Sequence, residues 1–526
     1  VEEVYERGDL NSAMAVIEVR SMNAANLRVI TENAIAYELQ DYFTFEVPGA
    51  KYTPAYKRRV WDGKIRLFNA YSGLLPAGLM DYLATFAKDR GYEVCIDSTV
   101  AQPEIKFDCD KVREFIKALK PTANGQPLEP HDHQVDAVCH ALNQSRCVLL
   151  SPTASGKSLA IYSMVRYYQN AIAPNRKILI VVPTISLVAQ LYADFKDYSS
   201  TVSWDANENC HRIVGGESKL TDKQIVISTW QSIYKLPRAW FDNFEVVIGD
   251  EAHLFKAQSL NSIMNKLTEC PYRIALTGTL DGSKIHKLAI EGLFGPVHRV
   301  ITTRELMDRN LLANLRIECL LLRYPPEVRK TVCGLDYHSE IDWLVNCEKR
   351  NEFIAFLASA TRGNTLVLFN YVEKHGKPLF ELIKKTAMTV IEDRKVFFVA
   401  GETELEQREG IRNIVEKEDN AIIVASYGTF STGINIRSLK NVIFASPSKS
   451  RIRILQSIGR QLRKCEGKHI AKLYDIADDL HHGENLNYTL QHFLKRVKIY
   501  ESEQFRYKLV KMPIDLKIVR PKEETK

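Results

Sequence analysis

Short apolar runs of four to six residues recur along this chain in two separate blocks, each alternating with helix-patterned stretches. The first block holds Cys147–Leu150, Lys177–Val182, Gln224–Ser228, Val246–Gly249 and Arg273–Leu276. The second holds Thr365–Phe369, Lys395–Val399, Ala421–Ala425, Asn441–Ala445 and Ile470–Tyr474. Runs that are apolar at every position, rather than at every second one, belong to strands buried on both faces. Such strands sit in parallel sheets with helical crossovers. The pattern therefore predicts an α/β chain with two tandem units of similar size, and no short-period repeat is visible. At 526 residues the chain exceeds what one hydrophobic core organises, so three or four domains are expected.

The flanks read differently. Between Met14 and Asp97, strand-like Met14–Arg20 and Phe43–Val47 and helix-like Glu32–Tyr42 and Leu79–Arg90 predict a small α+β domain, with Tyr92–Asp97 as a returning strand. The segment Arg59–Arg66 places the pair Asp62-Gly63 between two alternating arms, which predicts a β-hairpin. Past Gly483 a helical, basic region is expected, carrying Lys495, Arg496, Lys498, Arg506 and Lys508. The expected boundaries are 14–115 for the small domain, 126–297 and 298–482 for the two α/β units, and 483–526 for the C-terminal region. The chain opens on Val1, and the residues before Met14 are expected to lie outside the folded domain.

Chemistry concentrates in the first unit. Ser151-Pro-Thr-Ala-Ser-Gly-Lys-Ser158 follows an apolar run and precedes a helical pattern. A phosphate cradle needs that placement, because the loop amides and the helix N-terminus then face the anion. Thr153, Ser155, Gly156, Lys157 and Ser158 are its candidate nucleotide contacts. Lys157 can reach the β- and γ-phosphates, and the Ser158 hydroxyl can hold Mg²⁺. Ser151 stands where the strict motif has Gly, and Gly-Lys-Ser/Thr arises by chance about 0.3 times in a chain of this length, so the loop alone decides little. Val246-Val-Ile-Gly-Asp-Glu-Ala-His253 adds an apolar strand ending in two adjacent carboxylates. Asp250 can hold Mg²⁺ through its water shell and Glu251 can polarise the attacking water as general base. An acidic pair at a strand end is often only a solvated tip, but a phosphate loop upstream in the same unit favours the catalytic reading. Gln134, just ahead of that unit, can read the adenine edge.

Across about residues 129–475 these motifs resemble superfamily 2 helicases of the Asp-Glu-Ala-His class. Val182–Gln190 is similar to the family's motif Ia, Ser228–Ser232 to motif Ic, Leu276–Thr279 to motif III, Ser426–Asn435 to motif V and Gln456–Arg463 to motif VI. Motif V here ends in Asn435 where the commoner pattern has Asp. The resemblance implies two RecA-like lobes and an ATP-driven motor, with Gln456 positioning water and Arg460 and Arg463 as γ-phosphate sensors. Arginine suits that task because it stays charged and meets phosphate oxygens with a planar fork; three apart on a helix, the two would share a face. The resemblance further assigns Gly433 to the nucleotide and His253, Thr277 and Thr279 to coupling. It places a nucleic-acid strand against Pro183, Thr184, Gly215, Gly216, Thr229, Trp230 and Gln231 on lobe one, and against Phe369, Asn370, Thr429, Thr432 and Gly433 on lobe two. Exposed amides and hydroxyls there suit phosphate contact without base reading.

Tyr52–Arg66 followed by Gly73–Gly78 resembles the N-terminal domain of the UvsW family, the recombination helicases of T-even bacteriophages. That likeness implies fork regression, branch migration and removal of R-loops and D-loops, with 3′ to 5′ polarity. It also implies partners in single-stranded and branched DNA, with RNA–DNA hybrids and other recombination or replication proteins admitted. A monomer in the cytoplasm, the host's if phage-encoded, is expected. From the residues alone, Lys57, Arg58, Arg59, Lys64 and Arg66 bring positive charge and Tyr56 and Trp61 bring stacking faces. A basic hairpin is often just a sheet edge guarded by charge, but the charge and stacking faces together favour DNA contact through Arg58, Arg59, Trp61, Lys64 and Arg66.

Lys and Arg total 71 against 64 Asp and Glu, a formal net charge of +7, which permits a polyanion partner if the cations cluster. No apolar stretch approaches the roughly 20 residues of a membrane span, and residues 1–13 hold no apolar signal core. Ten cysteines without Cys-x-x-Cys pairs or zinc spacings predict reduced, mostly buried thiols. No metal beyond Mg²⁺ is indicated. Two other readings remain open at this stage: an RNA helicase or a duplex translocase that does not separate strands, and a binding protein with a relic ATP site.

Overall fold

A computed structural model describes residues 15–98, 100, 107–172, 176–254, 257–280, 283–390, 394–429, 436–446, 448, 450–464 and 468–514. The chain divides into two compact units. The first takes in residues up to 150, 158–277 and 282–300; the second takes in 301 onward together with 151–157 and 278–281. Among the described residues no helix is long and apolar enough to cross a membrane.

Both predicted parallel sheets form. In the first unit seven strands run in the order Cys210–Ile213, Ile225–Thr229, Lys177–Val182, Phe244–Asp250, Tyr272–Thr277, Arg146–Leu150 and Val297–Arg299, all parallel. The second unit repeats the plan with Val396–Val399, Ile422–Ser426, Thr365–Phe369, Asn441–Phe444, Ile470–Asp479, Asn314–Arg323 and Tyr507–Pro513, again all parallel. Every residue of Ile225–Thr229, Thr365–Phe369 and Ile422–Ser426 is buried. That burial on both faces is the cause of the uninterrupted apolar runs.

The N-terminal domain, part of the first unit, is a four-stranded sheet ordered Leu74–Pro76, Asn26–Ile30, Val16–Ser21 and Glu93–Ile96. Helices Asn33–Tyr42 and Met80–Arg90 close its core through Ile35, Leu39, Leu83 and Phe86. The hairpin expected at Asp62-Gly63 does not form. Lys64–Arg66 pairs instead with Thr44–Glu46, antiparallel, and Pro54–Lys57 upstream is a short helix. Local chemistry explains the difference. Thr53 caps that helix with Pro54 at its first position, Arg59 turns the chain at φ 57°, and Asp62 spends its carboxylate on the Lys64 amide and the Arg66 guanidinium.

Two further expectations are corrected. Cys109 and Cys139 form a disulfide across 30 residues of sequence, because helices Cys109–Ala118 and Asp132–Gln144 pack together. Cys147, Cys210, Cys270, Cys319 and Cys347 are buried thiols as expected, whereas Cys95 is exposed. Past Gly483 the expected helix spans Tyr488–Ser502, but Tyr507–Pro513 then joins the second sheet beside Asn314–Arg323. Arg496, one of the basic residues named there, is buried: its Nε lies 3.0 and 2.9 Å from the two carboxylate oxygens of Asp475. The Tyr500 hydroxyl donates to the same carboxylate at 2.8 Å. Glu340, fully buried, accepts the amides of Tyr488 and Thr489, each at 2.8 Å, so a carboxylate caps the positive end of the C-terminal helix. Arg350 grips Asp478 in the same manner, through Nε at 2.8 Å and a terminal nitrogen at 3.1 Å.

Removing one member of such a pair strands the other in a medium that solvates it poorly. Arg496→Met is therefore expected to cost about 3–5 kcal/mol, read as a lower urea midpoint; an unchanged midpoint would show that Asp475 is solvated.

Candidate functional site

Parallel pairing sets the first lobe's site. In register, Asp250 stands beside Leu276, and Thr277 stands beside Leu150. The carboxyl ends of three adjacent strands therefore lie in one row, about 5 Å apart from strand to strand. The phosphate loop, the Asp250-Glu251 pair and the Thr277–Thr279 segment leave from that row. Ligands of open α/β sheets bind at this edge of the strands.

The loop itself is built as an anion cradle. Ala154 at φ 68° and Gly156 at φ 83° are left-handed, and such turns aim successive backbone amides into one concavity. Ser151, where Gly is commoner, is buried, and its hydroxyl pairs with that of Ser155 at 2.6 Å; Ser155 also donates to the Pro152 carbonyl at 2.8 Å. The serine thus braces the loop from within. Lys157 Nζ donates to the Ser151 carbonyl at 3.3 Å. A Cβ on Gly278 would stand 3.5 Å from Lys157 Nζ and 3.5 Å from Thr153 Oγ1, so the Thr277–Thr279 segment rests against the loop. Ser158 lies in the first turn of helix Lys157–Tyr167. The loop's amides and ammonium suit a phosphate anion, and a hydroxyl such as that of Ser158 and a strand-tip carboxylate such as that of Asp250 are, by their chemistry, donors for a hard divalent cation.

Glu251 sits in the left-handed region at φ 48°, and its amide donates to Asp250 Oδ1 at 2.9 Å. That turn carries the second carboxylate off the strand axis. His253, wholly buried at its side chain, has Nδ1 2.6 Å from Thr277 Oγ1 and 3.4 Å from Glu251 Oε2. One imidazole therefore ties the candidate general base to the neighbouring strand. Thr279 is buried nearby in sequence. Gln134 is mostly buried and its Oε1 accepts the His131 amide at 2.9 Å, closing a capping box on helix Asp132–Gln144. The residue expected to read adenine thus also holds its own helix start.

The candidate strand contacts of the first lobe also cluster by register, with Val182 beside Thr229. Gln231 Nε2 donates to the Pro183 carbonyl at 3.2 Å, Thr184 caps helix Ile185–Tyr198 through the Leu187 amide, and Thr229 pairs with Ser232 at 3.0 Å. These polar groups shape their loops as well as lining them. Trp230 begins the short helix Trp230–Ile233. Gly215 and Gly216 have open space where a Cβ would stand, and only Gly216, at φ 85°, needs glycine for its backbone.

In the second lobe Phe369 is a correction. It is 0% exposed, its ring stacked on Phe398 and so close to Gly376 that a Cβ there would lie 2.4 Å away. Its side chain belongs to the core and cannot touch a strand. Asn370 follows at the strand end with its amide on Ser446 Oγ at 3.2 Å; His375 Nδ1 faces the same hydroxyl at 3.0 Å. Burial pushes His375 down to about 3, so it stays neutral and holds that loop as a hydrogen-bonding group. Thr429 is buried with its hydroxyl on Ser426. Thr432, Gly433 and Asn435 lie outside the described residues.

Gln456 and Arg460 lie on helix Arg451–Gln461, one turn apart; Arg463 falls past its C-cap Leu462. The shared helix face expected for the two arginines is corrected accordingly, because the helix ends between them. Sequence reading missed Gln461, which is fully buried and donates to the Lys440 carbonyl at 3.0 Å and to the Lys472 carbonyl. It fastens the helix to strand Ile470–Asp479 and to the residue just ahead of strand Asn441–Phe444; its place beside Arg460 was the available signal. On the N-terminal domain Arg58, Arg59 and Lys64 are exposed. Trp61 Nε1 donates to the Lys64 carbonyl at 2.8 Å, and Arg66 is paired with Asp62, which offsets its charge.

Comparison with known proteins follows this layout. Residues 16–97 match the family model described as DNA helicase UvsW, N-terminal; 124–282 match type III restriction enzyme, res subunit; 348–465 match helicase conserved C-terminal domain. The ATP-dependent DNA helicase uvsW of Enterobacteria phage T4 is 35% identical over 508 residues, covering 93% of this chain and 98% of that one. The DNA 3′-5′ translocase XPB2 of Sulfurisphaera tokodaii is 25% identical over 64% of this chain and 79% of its own. The crystal structure of T4 UvsW superposes with a TM-score of 0.51 at 34% identity, covering 94% of this chain and 99% of that one.

Thr277→Val removes the hydroxyl that His253 meets while keeping the shape. DNA-stimulated turnover should fall about 10-fold, the scale of a lost buried hydrogen bond, with KM for ATP within about 2-fold. Full turnover in a steady-state assay would show that the link carries no coupling.

Proposed function

Because the chain belongs to the UvsW family of superfamily 2 DNA helicases, we propose that this ATP-dependent enzyme acts on branched DNA. In this reading it regresses forks, migrates branches and unwinds D-loops and R-loops, with 3′ to 5′ polarity, as a monomer in the cytoplasm, the host's if phage-encoded. The observation that carries the reading is the end-to-end match to a DNA helicase that includes the N-terminal domain, where exposed Arg58, Arg59 and Lys64 flank the short helix Pro54–Lys57 or open the following strand. The XPB2 relative, a DNA 3′-5′ translocase, supports the direction of travel.

The roles follow from the site. Lys157 exchanges its hold on the Ser151 carbonyl for phosphate oxygens, and the loop amides bind the same anion. Ser158 and Asp250 are the groups that would hold Mg²⁺, which when bound offsets phosphate charge. Glu251 takes the proton of the attacking water, while His253 keeps its carboxylate oriented toward the Thr277 strand. Arg460 and Arg463 supply the cations that sense the γ-phosphate, and Gln456 orients water. The lobe loops at Pro183–Thr184, Gly215–Gly216, Thr229–Gln231, Asn370 and Thr429 hold the strand by its phosphates, which leaves base sequence unread.

One experiment ranks the alternatives: ATPase stimulation by single-stranded DNA, duplex, model fork and RNA at one salt concentration. A fork should stimulate most; stimulation by RNA alone would replace the DNA reading with an RNA motor. Lys157→Ala should abolish turnover, and a mutant as active as wild type would dispose of the site. Reversing Arg58, Arg59 and Lys64 together to Glu should weaken fork binding about 10-fold or more and lower its salt dependence by up to three charges, with basal ATPase intact. Equal fork affinity across a salt titration would remove the N-terminal domain from the DNA path.

A further inference from the structure

The helix Lys284–Phe294 begins seven residues after Thr277, and it is the element on which the N-terminal domain sits. Gly78 of that domain meets its backbone: a Cβ there would stand 1.9 Å from the Glu291 carbonyl oxygen and 2.9 Å from the Gly295 amide nitrogen. Across the same crossing, a Cβ on Gly292 would stand 3.1 Å from the Pro76 Cβ. Leu288 of the helix is counted in the domain's own core, with Leu79, Leu83 and Phe86. Beside this apolar seam lies a buried carboxylate. Glu291 is 2% exposed, accepts the Tyr82 hydroxyl at 2.7 Å and the Val297 amide at 3.0 Å, and has Lys287 Nζ at 3.7 Å. Burial and the Glu291 carboxylate together push the Tyr82 phenol up, so it stays a donor.

A second fastening lies elsewhere on the domain. The Ala24 amide donates to the Thr268 carbonyl at 2.9 Å, and the Arg146 guanidinium donates to the Ala24 carbonyl. Arg146 opens the strand that leads into the phosphate loop. Lys284 also lies over the Phe45 ring at 5.5 Å. Domains that swing on a linker meet through polar, loosely packed surfaces. Here a glycine-backed backbone crossing, a shared core residue and a buried, fully bonded carboxylate are combined with a second attachment, and two fastenings remove the swivel that one would leave.

We infer that Glu291, Tyr82 and Gly78 are positioning residues that join the N-terminal domain to the helix following the Thr277–Thr279 segment, so that domain and first lobe move as one body and branched DNA is presented at a fixed place relative to the first lobe. The inference rests on the branched-DNA reading above. It assigns no chemistry to these residues: they act through the surface they hold in place.

Two arms test it in the full-length protein. Gly78→Val and Glu291→Ala wedge or empty the seam. Both should leave kcat and KM for ATP with single-stranded DNA within about 2-fold, while fork unwinding falls about 10-fold or more. Glu291→Gln, which keeps an acceptor for Tyr82 or Val297, should recover most of it. Wild-type fork unwinding by folded Gly78→Val overturns the inference. The second arm closes the seam instead of opening it, and decides the matter if the first variants fail to fold. Pro76→Cys with Gly292→Cys, oxidised to a disulfide, should unwind forks as fast as the same protein reduced, with oxidised wild type as control. Activity lost on oxidation and restored by reductant would mean that the domain must swing, and would overturn the inference. Absence of any fork preference in the wild type would instead defeat the functional reading, and the same two arms, scored on unwinding of whichever duplex the wild type opens, would still uphold or overturn the joining of domain and lobe.

Discussion

The parallel hydrogen-bond ladder of Phe244–Asp250, Tyr272–Thr277 and Arg146–Leu150 is the constraint on which the rest of the first lobe depends. Parallel strands end on the same side, and the register sets Asp250, Thr277 and the exit of the phosphate loop level with one another. Each loop can then be short and locally braced. Ser151 and Ser155 brace the phosphate loop, the Asp250 carboxylate braces the turn at Glu251, and His253 lies between Glu251 and Thr277 of the neighbouring strand. A shift of one strand by one residue would turn every side chain to the opposite face and separate all of these groups together.

The second lobe uses the same ladder but secures it with buried charge. Asp475 and Asp478 lie on the long strand Ile470–Asp479, and each is gripped by an arginine from a different helix, Arg496 and Arg350. Glu340 holds the start of the C-terminal helix. The segment after Gly483 is consequently part of this lobe's sheet and core, with Tyr507–Pro513 as its edge strand. Charges so placed cost free energy to desolvate and recover it only in one geometry, which ties the helix to a single position on the sheet.

The family relationship gains physical content from these arrangements. The UvsW-type N-terminal domain shares a core residue, Leu288, with the helix that follows the Thr277–Thr279 segment. The domain that carries the UvsW family match is therefore packed, through one shared core residue, onto a helix of the first unit.

Periodicity and local chemistry alone determined the two parallel sheets, the phosphate loop, the Asp250-Glu251 pair and the helices of the N-terminal domain. Continuous apolar runs can be satisfied only by burial on both faces, and a strand–loop–helix junction with Gly156-Lys157-Ser158 has one economical use. Pairing partners were another matter. Asp62-Gly63 looks like a hairpin turn until Thr44–Glu46 takes Lys64–Arg66 as its neighbour. Phe369 has the motif position of a strand contact but the surroundings of a core ring. Arg496 is a basic residue in a basic stretch until Asp475, 21 residues away, claims it. Arg463 lies beyond a helix end that no local signal marks. For Phe369 and Arg496 the deciding partner is distant in sequence, and side-chain type does not encode distance. Local forces chose the elements; only long-range packing chose which polar groups face ligand and which are consumed in holding the elements together.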